Sequence, residues 1–431
     1  MKPISAFAAR RAAVTLAAFP ALFACAPAFA EDALDKGDTA WMLVATLLVL
    51  FMTLPGIALF YAGMARKKNI LGTIGQDLAI CGLVTVLWFA VGYSLAFSEG
   101  SAFIGGLGFL GMQGIGVDTV SGSIPQLLFA TFQMTFAVLT ACLITGSWAG
   151  RVKFSSLLVF MCAWSLLVYC PVCHWVWAED GFFFKMGALD YAGGTVVHIN
   201  AGIAGLMGAL ILGPRKGYGK VAMQPSNLTL AVIGAAVLWI GWMGFNGGSG
   251  LAADGRAAMA IVVSQIAAAA GLLAWMACEW IFRGRPSVLG MISGAVAGLV
   301  GITPGSGFVE PGAALVIGLS AGALCFWSAT VVKRKLGYDD SLDAWGVHGV
   351  GGVAGALLTG VFATSRVTGA ELPPMMEQLG IQALSVLATL VYGGAMSAAI
   401  LFAIKKTMGL RVSAEEEETG LDLAIHGERL E

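Results

Sequence analysis

Val197-His198-Ile199-Asn200-Ala201-Gly202-Ile203-Ala204-Gly205 and Val347-His348-Gly349-Val350-Gly351-Gly352-Val353-Ala354-Gly355 share Val, His, Gly, Ala and Gly at matched positions. Each stretch lies inside a long apolar run, and these are the fifth and the tenth such runs along the chain. The repeat unit is therefore five helices. An odd number of crossings turns the second copy over, which predicts an inverted repeat about an axis in the membrane plane, with the functional site near the midplane between the copies. That site would contain His198 and His348.

Composition places the chain in a bilayer. With 58% apolar and 11% charged residues, a water-soluble fold of 431 residues would expose very large apolar patches. Runs long enough to cross about 30 Å of hydrocarbon fall near 40–63, 72–97, 123–147, 154–176, 193–213, 227–250, 257–280, 287–303, 312–332, 341–363 and 380–404. The expected fold is all-α, a polytopic membrane protein of eleven spans in a five-plus-five inverted repeat plus one. The eleventh span has no assigned role beyond covering the bundle. Small-xxx-small pairs such as Gly294 and Gly298, Gly318 and Gly322, and Gly351 and Gly355 fit closely apposed helices.

Residues 1–30 read as a secretory signal: Lys2, Arg10 and Arg11 precede the apolar stretch Ala12 to Phe23, and Ala28-Phe29-Ala30 fits a cleavage site. Residues 31–404 form the membrane domain and 405–431 a cytoplasmic tail. Such a signal implies a bacterial inner membrane, with the mature amino terminus outside. The odd-to-even connections are then cytoplasmic, and they carry Arg66, Lys67, Lys68, Arg151, Lys153, Arg215, Lys216, Lys220, Arg283, Arg285, Lys333, Arg334 and Lys335. Lys405, Lys406 and Arg411 follow the last span, against Lys36, Lys185, Arg256 and Arg366 on the exterior, a positive-inside bias.

Ionisable residues inside a membrane are costly and each demands an account. Asp77 and Glu279 stand near the inner ends, where a surface or helix-end partner explains them. Asp190 precedes the fifth span and Asp343 opens the tenth, so both read as caps facing the positive end of a helix dipole. His174 reads as interfacial, and His426 belongs to the tail. Cys170 and Cys173 form a C-x-x-C, but in this apolar setting they read as buried small residues. Two histidines at symmetry-matched depth are different. A neutral imidazole donates with one nitrogen and accepts with the other, so two rings can bond each other while facing a small neutral or proton-exchanging guest. Further metal ligands are missing around them. No cofactor is implied, no nucleophile and base pair marks an enzyme, and near-balanced charge argues against nucleic acid.

From about Asp38 to Glu428 the chain resembles a bacterial member of the ammonium transporter (Amt/Mep/Rh) family. The resemblance is carried by Gly187-Ala188-Leu189-Asp190-Tyr191-Ala192-Gly193-Gly194-Thr195-Val196-Val197-His198-Ile199-Asn200, by Trp242-Met243-Gly244-Phe245-Asn246 with Ser249, and by Gly346-Val347-His348-Gly349. It implies a homotrimer with a pore in each protomer. Phe132, Trp177 and Ser249 would recruit ammonium in an outer vestibule, Phe136 and Phe245 would form a gate, and Asp190 would support the recruitment site. By position alone Trp177 would be an interfacial anchor. Trp177 and Ser249 fit the ammonium branch better than the Rhesus branch. Methylated ammonium is a further expected substrate.

Energetics constrain the passage. Moving an ammonium-sized ion into low dielectric has an idealised cost on the order of 20 kcal/mol, whereas an aromatic face returns about 0.5 to 2 kcal/mol. The expected route is loss of a proton near the gate, passage of ammonia along His198 and His348, and separate return of the proton. In the tail, Glu415-Glu416-Glu417-Glu418 reads by composition as a solvated run. The family counterpart of Gly420-Leu421-Asp422 and His426-Gly427-Glu428 docks on the inner face, where a PII-type signalling protein binds. The runner-up function is an ammonium sensor with little flux, and an ion-coupled symporter is weaker because no carboxylate is expected at the midplane.

Overall fold

The computed structural model describes residues 34–430, so the expected signal at 1–30 lies outside the described residues. Among the described residues eleven helices are long and apolar enough to span a membrane: α1 Lys36–Met64, α2 Lys67–Phe97, α3 Gln126–Trp148, α4 Phe154–Lys185, α5 Gly194–Leu212, α6 Leu228–Gly248, α7 Gly255–Arg283, α8 Val288–Gly305, α9 Pro311–Leu336, α10 Trp345–Phe362 and α11 Met375–Thr407. Helices suit these segments because lipid supplies no hydrogen-bond partner for the backbone. Starts are set by side chains that accept from free amides, Asp35 before α1, Asn227 before α6, Asp254 before α7 and Ser287 before α8. At about 1.5 Å per residue the 19 residues of α5 extend roughly 29 Å, one hydrocarbon thickness.

The two repeat helices cross in the middle of the bundle. Both α5 and α10 open with a π-helical turn, Gly194–Ile199 and Trp345–Gly349, and each turn carries its histidine. The contacts are reciprocal. A Cβ on Gly202 would meet the Gly349 Cα at 2.5 Å, and one on Gly352 would meet Ile199 at 3.0 Å. Residues 202 and 352, like 199 and 349, are 150 apart, so the crossing obeys the two-fold relation expected of the repeat.

The eleventh helix has a definite task. α11 packs on both α5 and α10. Its Gln382 side chain accepts from the Leu189 amide at 2.7 Å and donates to the carbonyls of Leu189 at 2.7 Å and Ala356 at 3.1 Å. It therefore ties the segment before α5 to the body of α10.

The carboxyl tail gathers one face of the bundle. Its helices α12, Ala414–Thr419, and α13, Leu421–His426, lie against the start of α2. Asp422 accepts from the Gly72 amide at 2.8 Å, Leu421 donates to the Asn69 side chain at 2.9 Å, and the His426 ring sits edge-on to Phe154. The acidic run is only partly solvated. Glu417 is buried, bound to Arg411 at 2.7 Å and to the Lys216 amide at 2.7 Å, with Arg66 at 3.9 Å. Arg66, Lys68, Arg151, Arg215, Lys216 and Arg411 thus share this tail face. Behind it Arg215 binds both oxygens of the fully buried Asp339, at 2.8 and 2.7 Å, with Arg151 alongside. On the opposite, far face, the 98–125 connection folds into two small ribbons, Gly100–Ser101 with Ile104–Gly105 and Val120–Ser121 with Ile124–Pro125.

Two expectations about lone polar residues change, those for His174 and Asp77. His174 is fully buried instead of interfacial, its ring nitrogens on the carbonyls of Ala96 at 2.9 Å and Ser101 at 2.7 Å. Glu279 does find a helix-end partner set in Arg283 and Ser287. Asp77 does not, for its Oδ1 has Thr145 at 3.3 Å and its Oδ2 has no partner. Cys170 and Cys173 are buried and unpaired.

Candidate functional site

On the far face a cavity of about 120 Å³ is lined by Phe97, Phe129, Gln133, Phe136, Trp177, Tyr191, Ser249 and Leu251. Helices α2, α3 and α4 supply the aromatic wall, and the α6 end supplies Ser249. The Trp177 indole donates to the Asp190 carbonyl at 2.8 Å, which holds the ring edge-on to Phe136 at 5.7 Å. Ser249 closes α6 by donating to the Phe245 carbonyl at 2.8 Å, leaving its oxygen lone pairs available. Phe132 lies behind this wall, with its ring centroid 4.9 Å from that of Phe136, and does not line the cavity. Two polar atoms of lining residues, Gln133 Oε1 and Tyr191 Oη, are buried without partners. Sequence reasoning missed both, since nothing in their spacing marks Gln133 within its apolar span or Tyr191 in the connection before α5.

Phe136 of this lining is one of a stacked pair of rings. Phe136 from α3 and Phe245 from α6 stack with centroids 4.1 Å apart and planes 17° apart. Beneath them His198 stacks on Trp242 at 5.4 Å, and the Trp242 indole is fixed by donation to Thr303 at 2.9 Å.

His198 and His348 meet through their Nδ1 atoms at 3.2 Å, with ring centroids 5.3 Å apart. One Nδ1 must donate and the other accept, so at least one ring is neutral, and when both are neutral they are in opposite tautomers. His198 Nε2 has no protein partner. The neutral pair therefore presents one Nε2 donor and one Nε2 acceptor to a guest. Past His348 two further cavities continue toward the tail face. One of about 10 Å³ is walled by Tyr61, Leu143, Trp242 and Val296, and one of about 50 Å³ reaches Ser293, Leu342 and Asp343.

Asp190 caps α5 as expected. Its carboxylate accepts from the amides of Gly193 at 2.8 Å and Thr195 at 2.8 Å, from Gly194, and from the Thr195 hydroxyl. Burial pushes this carboxyl up from its ordinary range, and the bonds from Thr195, Gly194 and Gly193 oppose the push. Asp343 does not cap α10. Asp340 does, accepting from Ala344 at 3.1 Å, Trp345 at 2.9 Å and Gly346 at 3.3 Å. The signal was in the numbering, because 340 − 190 and 348 − 198 are both 150. Asp343 pairs with Lys333 instead.

A family profile described as Ammonium Transporter Family matches residues 40–430. The chain is 49% identical over 413 residues to an ammonium transporter of Aquifex aeolicus, covering 93% of this chain and 95% of that one. It is 45% identical over 402 residues to an ammonium transporter of Bacillus subtilis, covering 92% and 98%. Among solved structures, Saccharomyces cerevisiae Mep2 superposes with a TM-score of 0.82 at 37% identity, over 88% of this chain and 91% of that chain. A structure described as Sensor Amt Protein gives 0.84 at 30% identity, over 90% and 98%. With its eleven spans, its two crossing repeat helices and these relatives, the chain belongs to the Ammonium Transporter Family, whose members are transporters and not enzymes.

Proposed function

We propose that this protein carries ammonium across a membrane by taking up the ion in the far-face vestibule, removing one proton, and passing ammonia along the histidine pair. The observation that carries this reading is the His198–His348 pair directly beneath the Phe136–Phe245 stack, offering one donor and one acceptor. Trp177 and Phe136 give aromatic faces to a cation and Ser249 gives a hydroxyl acceptor, with Phe132 supporting Phe136. Past the stack the cavity of about 10 Å³ is walled by apolar and aromatic side chains with His348, and among the described residues no carboxylate lines it. A bare ion would meet an idealised desolvation cost on the order of 20 kcal/mol, whereas ammonia needs only hydrogen bonds of the kind the imidazoles supply. One N–H bond therefore breaks before the stack, its proton passing to vestibule water and travelling separately, and a new N–H bond forms on the tail side with a proton taken up there. Asp190 holds the α5 start and, through its carbonyl, Trp177.

The tail face is assigned to the cytoplasm of a bacterial cell bounded by its inner membrane, in keeping with its basic residues. A homotrimeric assembly and a PII-type partner on that face accord with the family resemblance and with the docked tail. Methylammonium, which keeps N–H donors, is an expected alternative substrate. Replacing His198 or His348 by Asp and recording ammonium-evoked current together with methylammonium uptake in proteoliposomes tests the mechanism. Expected is uncoupling, with current no longer tracking uptake. Unchanged coupled transport in both variants would remove the histidines from the mechanism.

A further inference from the structure

The inverted repeat puts a carboxylate where a glycine would be expected. Residue 193 precedes α5 with φ +114°, and residue 343, 150 positions on, precedes α10 with φ +62°. The first is glycine, which takes that conformation freely, and the second is aspartate, which takes it less readily. Side chains held in left-handed backbone cluster at functional sites. Capping cannot be the reason for this one, because Asp340 already satisfies the amides at the start of α10.

Asp343 lines the cavity of about 50 Å³ that also reaches His348. Its carboxylate is bound by the Lys333 ammonium group, which also donates to the Asp340 carbonyl at 3.2 Å. An ammonium nitrogen therefore already sits on two oxygens at the mouth of the pathway. The Lys333 side chain is 15% exposed and that of Asp343 34%, so water reaches the pair from the tail face. Lys333 belongs to α9, next to the π-helical turn Ser328–Val332, and swings on a flexible four-carbon stem.

We propose that Asp343 and the Asp340 carbonyl form a binding site for a small ammonium-type cation at the tail-side mouth, and that Lys333 is its tethered occupant. A cation re-formed from ammonia at this mouth, or one entering from the tail face, must displace Lys333. The lysine thereby sets how strongly the tail-side mouth retains substrate, which favours release. This rests on the transport reading above and adds to it a site with its own competitor.

The test uses right-side-out and inside-out membrane vesicles containing the full chain, and reads the methylammonium concentration giving half-maximal flux from each face. Lys333→Met removes the competitor and is expected to lower the tail-face value several-fold. Asp343→Asn keeps a residue that tolerates the left-handed conformation and is expected to raise it several-fold, so it decides the matter if Lys333→Met fails to fold. Neither variant should move the far-face value by more than about twofold, since in that direction binding precedes the mouth. Tail-face values unchanged in both variants, or the two faces shifting together, would overturn the site and leave a structural ion pair. His198→Asp in the same vesicles separates the two readings: if it leaves coupled transport intact while the face asymmetry holds, the histidine mechanism fails and this site stands.

Discussion

Asp190 is the residue with most to lose from truncation. Its two oxygens serve the amides of Gly193, Gly194 and Thr195 as well as a hydroxyl, all out of reach of water. Asp190→Ala leaves those donors unpaired at the positive end of α5, a loss on the order of 3 kcal/mol. Asp190→Asn keeps one acceptor and should lose about half as much. Thermal unfolding of detergent-solubilised protein checks the order, and an Asp190→Ala variant melting with the wild type would contradict it. The same residue shows what a sequence discloses at this scale. Asp190 and the histidines were legible because ionisable groups are scarce in apolar spans. Asp340 was not, since a second acid two residues before Leu342 looks like part of a polar loop until the offset of 150 is applied. Gln133 and Tyr191 carried no signal, because an unpartnered atom is a fact of three dimensions.

At the scale of elements, buried ion pairs fasten the tail face. Burial pushes Asp339 up, but the hydrogen bonds and charge of Arg215, aided by Arg151, outweigh it and hold the carboxyl below its ordinary value of 3.8. A folded-state value below the unfolded one contributes stability that is present above the unfolded value and disappears as pH falls through the folded one. Asp339→Asn should therefore melt well below the wild type at neutral pH, and the gap between the two should shrink as pH falls below 3.8. A gap independent of pH would show that Asp339 acts through packing alone. Helix existence was plain from hydropathy, and helix ends less so. The expected start of the second span at 72 is Lys67 in the structure, and that of the eleventh at 380 is Met375, because polar first turns such as Lys67-Lys68-Asn69 and Glu377-Gln378 lower local hydropathy while remaining helical. The π-helical turns under the histidines have no compositional mark at all.

The whole molecule depends on how near α5 and α10 approach each other. At Gly202 an added methyl would stand 2.5 Å from backbone, whereas at Gly352 the nearest atoms are at 3.0 Å and include the side chain of Ile199, which has some freedom to yield. Gly202→Ala should thus lower the melting temperature more than Gly352→Ala, with a cost of about 1 to 3 kcal/mol for overpacking of this kind. Equal melting of the two variants would argue that the crossing relaxes as a unit. The architecture itself was legible from five matched residues in two short stretches. The direction of the second copy followed from counting crossings, whereas the bracing by α11 required Gln382 to be seen bridging Leu189 and Ala356.

With 4.1 Å between ring centroids, Phe136 and Phe245 leave no gap for a water molecule between them. Protons leak through membranes along unbroken files of water, so while the rings touch, the file is cut. On the proposed route each passage waits for a ring to rotate aside, which would make traffic intermittent and brief. A cell could then keep many copies of this protein in its membrane without draining the electrochemical gradient that powers everything else embedded there.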